Sequence, residues 1–271
     1  DTLINSSVGP EAFSFLKLYG TLPFAVLFML AYSSLSNVLG KNTLFHTVFG
    51  FFLSFFALFG LVLYPNSAGL HPNPEMIQAW ALESPRLATA IKIYGNWTHA
   101  LFYIMSELFG TAGISLLFWR FANDTVSYQK GETTRFYPLF GLVGNVALIF
   151  SGGAIREFSK VPTNLPVGMD PFIPALQKMT IAILIAGALT MLLYQWMQSS
   201  VLKDPRLAPD GASKPKKKKQ KLSVGEGIKY VFRSKHLGYI ALLVICYGTA
   251  LAITEAVWKA QVKAVYDNKN I

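Results

Sequence analysis

Six apolar blocks, each long enough to cross a bilayer, constrain the fold of this chain more than any other feature. They run over residues 15–38, 44–64, 93–119, 137–155, 176–202 and 237–258. A helix of about 20 apolar residues spans the hydrocarbon core. Backbone polar groups must be satisfied within such a segment, and no block alternates with the two-residue period of a barrel strand. The predicted fold class is therefore an all-α integral membrane bundle with six transmembrane helices.

The charge content indicates a membrane protein and argues against a nucleic-acid partner. Charged residues make up 14% of the chain, whereas soluble domains carry about 25%. The net charge is +10, but 11 of the 24 basic residues lie within 203–235. No aromatic residue accompanies the lysines of 214–221, which is typical of a solvated linker or of a contact with anionic lipid head groups. The lipid bilayer is thus an expected partner, and nucleic acid is not.

The distribution of basic residues also predicts the orientation of the spans. The connectors that begin at residues 41, 120 and 203 hold most of the basic excess, whereas those at 65–92 and 156–174 hold little of it. The positive-inside rule places the first set in the cytoplasm. Two short helices outside the spans are expected as well, over 75–82 and 223–235.

Four polar residues in the apolar blocks, or at their ends, are the candidate functional residues. Glu107 lies near the middle of the third block, where an acid is costly and indicates function; the alternative is a carboxyl neutralised or hydrogen-bonded between helices. Glu255 lies toward the end of the last block, and Lys259 follows at i+4, the spacing of an interfacial salt bridge. Asn145, among glycines of the fourth block, is expected either to bond a neighbouring helix or to contact substrate.

Two basic residues, Lys17 and Lys178, lie near the starts of apolar blocks. The long aliphatic stem of lysine lets its ammonium group reach the head-group region while the stem stays in apolar surroundings. We therefore expect both side chains to extend to the membrane interface.

The sequence contains no recognisable motif of covalent catalysis. GxSxG, HExxH, CxxC, Walker A and GxGxxG patterns are all missing. The four histidines, at residues 46, 71, 99 and 236, are too scattered to predict a metal site. No cofactor is indicated, and an enzyme is not expected.

Several segments of the chain resemble a known family of membrane proteins. They are "FLKLYGTLPFAVLFMLAYSSLSNVL", "FYIMSELFGTAGISLLFWRFAND", "RFYPLFGLVGNVALIFSGG" and "ITEAVWKAQVK". These segments resemble the nucleotide transport proteins, the ATP/ADP translocases of obligate intracellular bacteria and of plant plastids. The resemblance covers essentially the whole chain and keeps the order of the motifs.

The resemblance implies an architecture and a location. The family has about twelve helices in a major-facilitator-like arrangement of two halves, and this chain is similar to helices two to seven. Residues 1–202 would then belong to the N-terminal half, 203–222 to a basic cytoplasmic linker, and 223–271 to a surface helix and the first helix of the C-terminal half. The resemblance implies a bacterial inner membrane, with the plastid inner envelope as the alternative, and a full-length protein that works as a monomer.

The resemblance also implies a function and roles for the candidate residues. Glu107 in "SELFG" and Glu255 in "TEAVWK" match two charged transport residues of the family, and Lys259 completes the second motif. ATP and ADP would be the transported substrates, exchanged by alternating access. Ala256 and Val257 depart from the commoner family pattern, so a proton-linked importer of several nucleotides stays open. A membrane-bound enzyme and a structural or interaction module are rivals from other classes.

Overall fold

The protein is described here by a computed structural model that covers residues 2–126, 131–160, 170–203, 229–230 and 233–265. Within these ranges, the side chains of residues 112, 259 and 262–265 are not described. Within these described ranges, six helices are long and apolar enough to cross a membrane, namely Glu11–Val38, Lys41–Leu63, Trp97–Thr125, Glu132–Phe158, Phe172–Val201 and Lys235–Trp258. We refer to them as the first to the sixth span. They confirm the predicted all-α membrane fold.

Short helices lie between the second and third spans. Pro74–Glu83 begins after Asn73, whose side-chain oxygen accepts a hydrogen bond from the Glu75 N–H at 2.9 Å. A proline at the first helical position and an asparagine cap are a typical helix start, so the helix expected over 75–82 is confirmed. The one expected over 223–235 lies mostly outside the described residues.

The third span begins later than the sequence predicted. A separate helix occupies Ala88–Gly95 and ends at Asn96, whose backbone (φ −124°, ψ 39°) is not helical. The Asn96 side chain donates to the Lys92 carbonyl at 3.0 Å. Asparagine competes with the helix for backbone hydrogen bonds in this way. The expected start at residue 93 was therefore wrong, because apolar content alone does not reveal such a break.

The chain divides into two compact units. The first unit comprises Asp1–Leu30, Asn73–Ile104 and Pro215–Ile271, and the second comprises Ala31–Pro72 and Met105–Lys214. In the first unit, Gly20 is packed so closely that a Cβ there would lie 2.7 Å from the Ile104 Cδ1 atom. The Phe13 and Tyr103 rings lie 5.5 Å apart in the same region. The start of the first span therefore packs against the start of the third.

The second unit is held by close packing between the second and fifth spans. A Cβ built at Gly60 would lie 2.0 Å from the Thr180 Oγ1 atom, and one at Gly187 would lie 2.5 Å from the Leu53 Cδ2 atom. Small residues allow such approach between membrane helices. Phe109 of the third span packs against three phenylalanine rings of the second, with centroid distances of 5.2–5.3 Å: Phe49, Phe52 and Phe56.

Polar contacts tie the span ends of the second unit together in two separate groups. At one end, Lys41 pairs with Asp124, and Asn42 donates to the Gln195 side chain at 2.8 Å. At the other, the Tyr64 hydroxyl donates to Asp170 at 2.9 Å. The first group lies at span ends next to the connectors predicted to be cytoplasmic, and the second lies next to those predicted to be outside. The pairing of these ends agrees with antiparallel crossings by the second to the fifth spans.

Candidate functional site

The first and sixth spans form the walls of a cleft in the first unit. Its volume is about 570 Å³, within the range of small-molecule sites. On the sixth span the lining residues recur at helical spacing along one face: Val244, Ile245, Gly248, Thr249, Ala252, Ile253, Glu255 and Ala256. On the first span they are Phe13, Ser14, Lys17, Leu18 and Leu22. The cleft is therefore mostly apolar, with few polar groups.

An ion pair bridges this cleft. The Lys17 Nζ atom lies 2.5 Å from the Glu255 Oε2 atom, although the two residues are 238 positions apart in sequence. The side chains are 32% and 37% exposed, respectively, so the pair is open to the cleft. An ion pair that remains accessible to solvent can exchange one partner for another charged group at small cost.

The backbone around Lys17 is locally unusual. Residues Leu16–Thr21 form a π-helical segment between the α-helical parts of the first span. π-Helical segments within α-helices are rare and frequently lie at functional sites, because the extra residue per turn shifts the direction of neighbouring side chains. The buried Gly20 in the same segment brings the backbone against Ile104. Lys17 is thus held by a part of the span whose geometry is closely fixed.

A second cavity, in the second unit, is too small for a comparable role. It has a volume of about 20 Å³, room for roughly one water molecule. Tyr32 and Arg120 line it, and the guanidinium donates to the Tyr32 hydroxyl at 2.5 Å. Lys41 and Asp124 complete its polar wall. We interpret these contacts as structural, because they hold the ends of the first, second and third spans together.

The other predicted site residues lie outside the cleft. Glu107 is half-buried in the third span, and within the described part of the chain its carboxylate has no hydrogen bond or ion pair. Asn145 is exposed on the fourth span, which buries none of its described residues, and no hydrogen bond from its side chain to a neighbouring helix is seen among the described residues. The side chain of Lys259 lies outside what the structure describes. The transport roles of these three residues stay predictions.

Sequence reasoning missed the partnership of Lys17 with Glu255. Lys17 was expected to extend to the interface, and Glu255 was considered with its near neighbour in sequence. The available signal was the presence of two opposite charges inside different spans, each costly alone. Among the described residues, no group of three or more His, Cys, Asp or Glu side chains is arranged for a metal ion.

Comparison with known proteins identifies the family of the chain. The sequence profile described as TLC ATP/ADP transporter matches residues 1–271. The chain belongs to the TLC ATP/ADP transporter family. Among its relatives, "ADP,ATP carrier protein 1" of Rickettsia conorii is 40% identical over 99% of this chain and 53% of its own length. "ADP,ATP carrier protein 1" of Chlamydia muridarum is 42% identical over 100% of this chain and 51% of its own.

A third relative, with a different carrier number in its name, has a similar level of identity. "ADP,ATP carrier protein 3" of Rickettsia bellii is 40% identical over 98% of this chain and 55% of its own length. The TLC transporter chain therefore spans about half the length of the curated relatives that it matches. No solved structure shows significant similarity to it. The family match includes both walls of the cleft, since it covers the first and the sixth spans.

Proposed function

We propose that this chain is part of a membrane carrier that exchanges ATP for ADP by alternating access, without covalent chemistry. The observation that carries the proposal is the family match over residues 1–271, together with relatives named ADP,ATP carrier at about 40% identity. The carrier would not be an enzyme: it would bind a nucleotide, reorient and release it. As a full-length protein it would work as a monomer.

The cleft between the first and sixth spans supports this proposal chemically. A nucleotide needs an apolar surface for its base and positive charge for its phosphates, and the cleft offers an apolar lining and the cation of Lys17 in a suitable volume. Charged residues inside membrane spans usually mark substrate or ion pathways. Glu107 and Lys259 would contribute to transport as the resemblance implies, and Asn145 would contact the substrate, which is one of the two roles expected for it.

The protein is an integral membrane protein, and we propose that its membrane is a bacterial inner membrane. The supporting relatives are named from Rickettsia and Chlamydia. The connectors that carry the basic excess would face the cytoplasm. A plastid inner envelope is the alternative, and localisation of a tagged full-length protein in its native cell would distinguish the two.

Transport by the full-length protein in proteoliposomes tests the proposed exchange. Vesicles loaded with ADP should take up radiolabelled ATP, and vesicles without internal nucleotide should take up little, because exchange couples each import to an export. Uptake that is independent of internal ADP but driven by a proton gradient would favour a net importer. Absence of uptake for every nucleotide tested would contradict the transporter assignment.

A further inference from the structure

Lys17 provides a positive charge in the cleft between the first and sixth spans. It lies inside the first span, and its ammonium group contacts the Glu255 carboxylate at 2.5 Å. The start of the first span and the end of the sixth lie on the same side of the membrane in the predicted topology. Lys17 lines the cleft and contacts Glu255 on its opposite wall.

We propose that Lys17 binds a phosphate group of the transported nucleotide, and that Glu255 is its counter-ion when the cleft is empty. This inference rests on the proposed nucleotide transport. A lysine ammonium is a compact charge with three donors and binds phosphate well. A phosphate oxygen can replace the carboxylate oxygen as acceptor, so the cation is neutralised in both states.

The exposure of the pair makes this replacement feasible. About a third of each side chain remains accessible, and an exposed ion pair contributes little net stability. A fully buried pair would be different, because opening it would leave an uncompensated charge in a dry environment. When a phosphate group binds Lys17 in place of Glu255, the displaced Glu255 carboxylate repels the bound anion. That repulsion favours release later in the cycle.

The surroundings of the pair fit the remainder of a nucleotide. Apart from Lys17 and Glu255, the cleft presents two hydroxyl side chains, Ser14 and Thr249, among aliphatic and aromatic residues. The Thr249 hydroxyl donates to the Ile245 carbonyl at 2.8 Å, which keeps it directed at its own helix. Ser14 lies one turn before Lys17 on the same helical face, where it could offer a second donor to phosphate.

Substitution of Lys17 in the full-length protein tests the proposal directly. In ADP-loaded proteoliposomes, Lys17→Gln should raise the KM for ATP about 10- to 100-fold, the scale of one hydrogen bond to a charged group. Lys17→Arg should recover part of this loss. The matched control is Lys178→Gln, since Lys178 is an exposed lysine of the fifth span with no ion pair among the described residues. It should leave the KM within about twofold.

A charge swap separates phosphate binding from a structural role. The double variant with Lys17→Glu and Glu255→Lys keeps an ion pair between the two spans. It should restore the thermal unfolding temperature of the wild type but not its KM for ATP, because the cation has moved to the other wall. Full recovery of transport in the swapped protein, or an unchanged KM in Lys17→Gln, would show that the pair is only a structural link.

A binding measurement decides the inference even if exchange itself is not observed. Tripolyphosphate should raise the unfolding temperature of the detergent-solubilised wild type and have no effect on Lys17→Gln. An equal shift in both, or none in either, would overturn the proposal for Lys17. Repeating transport with and without anionic lipid separates nucleotide from lipid phosphate. A KM effect seen only in anionic vesicles would assign Lys17 to head groups and refute the nucleotide contact.

Discussion

At the scale of single residues, Lys17 and Glu255 make each other tolerable inside the membrane. Inserting a charged side chain at the centre of a spanning helix costs about 2.5–3.5 kcal/mol, and the cost is smaller toward the helix ends, where these two residues lie. Their contact at 2.5 Å offsets part of this cost for both. Removal of either charge alone therefore leaves the other with a poorer environment. The two residues have to be considered as one unit in any mutational study.

The substitution Glu255→Gln should change transport more than folding. Glutamine keeps the size of the side chain, but it leaves Lys17 without a negative counter-charge. We expect the KM for ATP to fall severalfold and the exchange rate to fall with it, because bound nucleotide is released more slowly. The measurement is ATP/ADP exchange by the full-length variant and the wild type at equal membrane abundance.

The control for this substitution is Glu157→Gln. Its carboxylate pairs with Lys160 three residues away, at the end of the fourth span, and both side chains are exposed. Exposed pairs of this kind contribute little, so exchange should not change. If the exchange rate and the KM of Glu255→Gln equal those of the wild type, Glu255 has only a structural role.

Tyr64, just outside the second span, gives a pH-dependent prediction. Burial raises its pKa above the ordinary value of about 10, and the hydrogen bond and charge of Asp170 raise it further. A raised folded-state pKa means that the stabilisation is complete below about pH 10 and is lost as the pH rises beyond it. Tyr64→Phe should therefore cost about 1 kcal/mol of stability at pH 7.

Thermal unfolding in detergent checks this expectation. The difference between the wild type and Tyr64→Phe should shrink between pH 9 and a pH above about 10.5. Tyr94→Phe is the comparison, because Tyr94 is 59% exposed and should make no measurable difference at either pH. A Tyr64→Phe penalty that grows with pH would contradict the assigned hydrogen bond.

At the scale of helices, the second and fifth spans depend on glycine for their contact. The Gly60 backbone lies against the Thr180 side chain, and the Gly187 backbone lies against Leu53. Each helix thus contributes one small residue and receives a larger one from its neighbour. Without a hydrophobic driving force between helices in lipid, such close packing supplies much of the association energy.

Gly60→Ala should destabilise the protein by about 1–3 kcal/mol, the usual cost of overpacking. The added Cβ would lie 2.0 Å from Oγ1 and 2.9 Å from Cβ of the branched Thr180 side chain, which has little freedom to move away. Gly50→Ala is the matched control, since no atom lies within 4 Å of the Cβ position in the same span. Equal unfolding temperatures for the two variants would argue against this helix contact.

The sequence predicted these helices well and their contacts poorly. Hydropathy located all six spans because the bilayer demands long apolar segments whatever their neighbours. The break at Asn96 and the π-helical turn around Lys17 depend on local hydrogen bonding, which leaves hydropathy unchanged. The pairing of Lys17 with Glu255 depends on how distant helices are arranged, so spacing along the chain could not reveal it. The resemblance to the family, in contrast, was confirmed.

At the scale of the molecule, the polar groups at the span ends of the second unit support one topology. Lys41 pairs with Asp124, and Asn42 bonds Gln195, at span ends next to the connectors predicted to be cytoplasmic. Tyr64 and Asp170 belong to connectors on the other side. A different number of crossings between these positions would separate the partners by the thickness of the membrane.

Limited proteolysis of oriented vesicles should confirm this topology. The basic segment 203–221 is rich in lysine, and trypsin should cut it in inside-out vesicles but not in intact right-side-out ones. A single protease site engineered at Ser67, between the second and third spans, should show the opposite pattern. Cleavage of 203–221 from the outside would reverse the assigned orientation.

The contact between the second and fifth spans has a consequence for synthesis. Gly60 meets a residue that follows it by 120 positions, and Asn42 meets one that follows it by 153. Translation proceeds at about 5–20 residues per second, so the fifth span is synthesised on the order of ten seconds after the second. Until then the surface of the second span around Gly60 is not covered by the fifth span. We expect the insertion machinery or lipid to shield that surface, so slowed translation between residues 64 and 172 should lower the yield of folded protein.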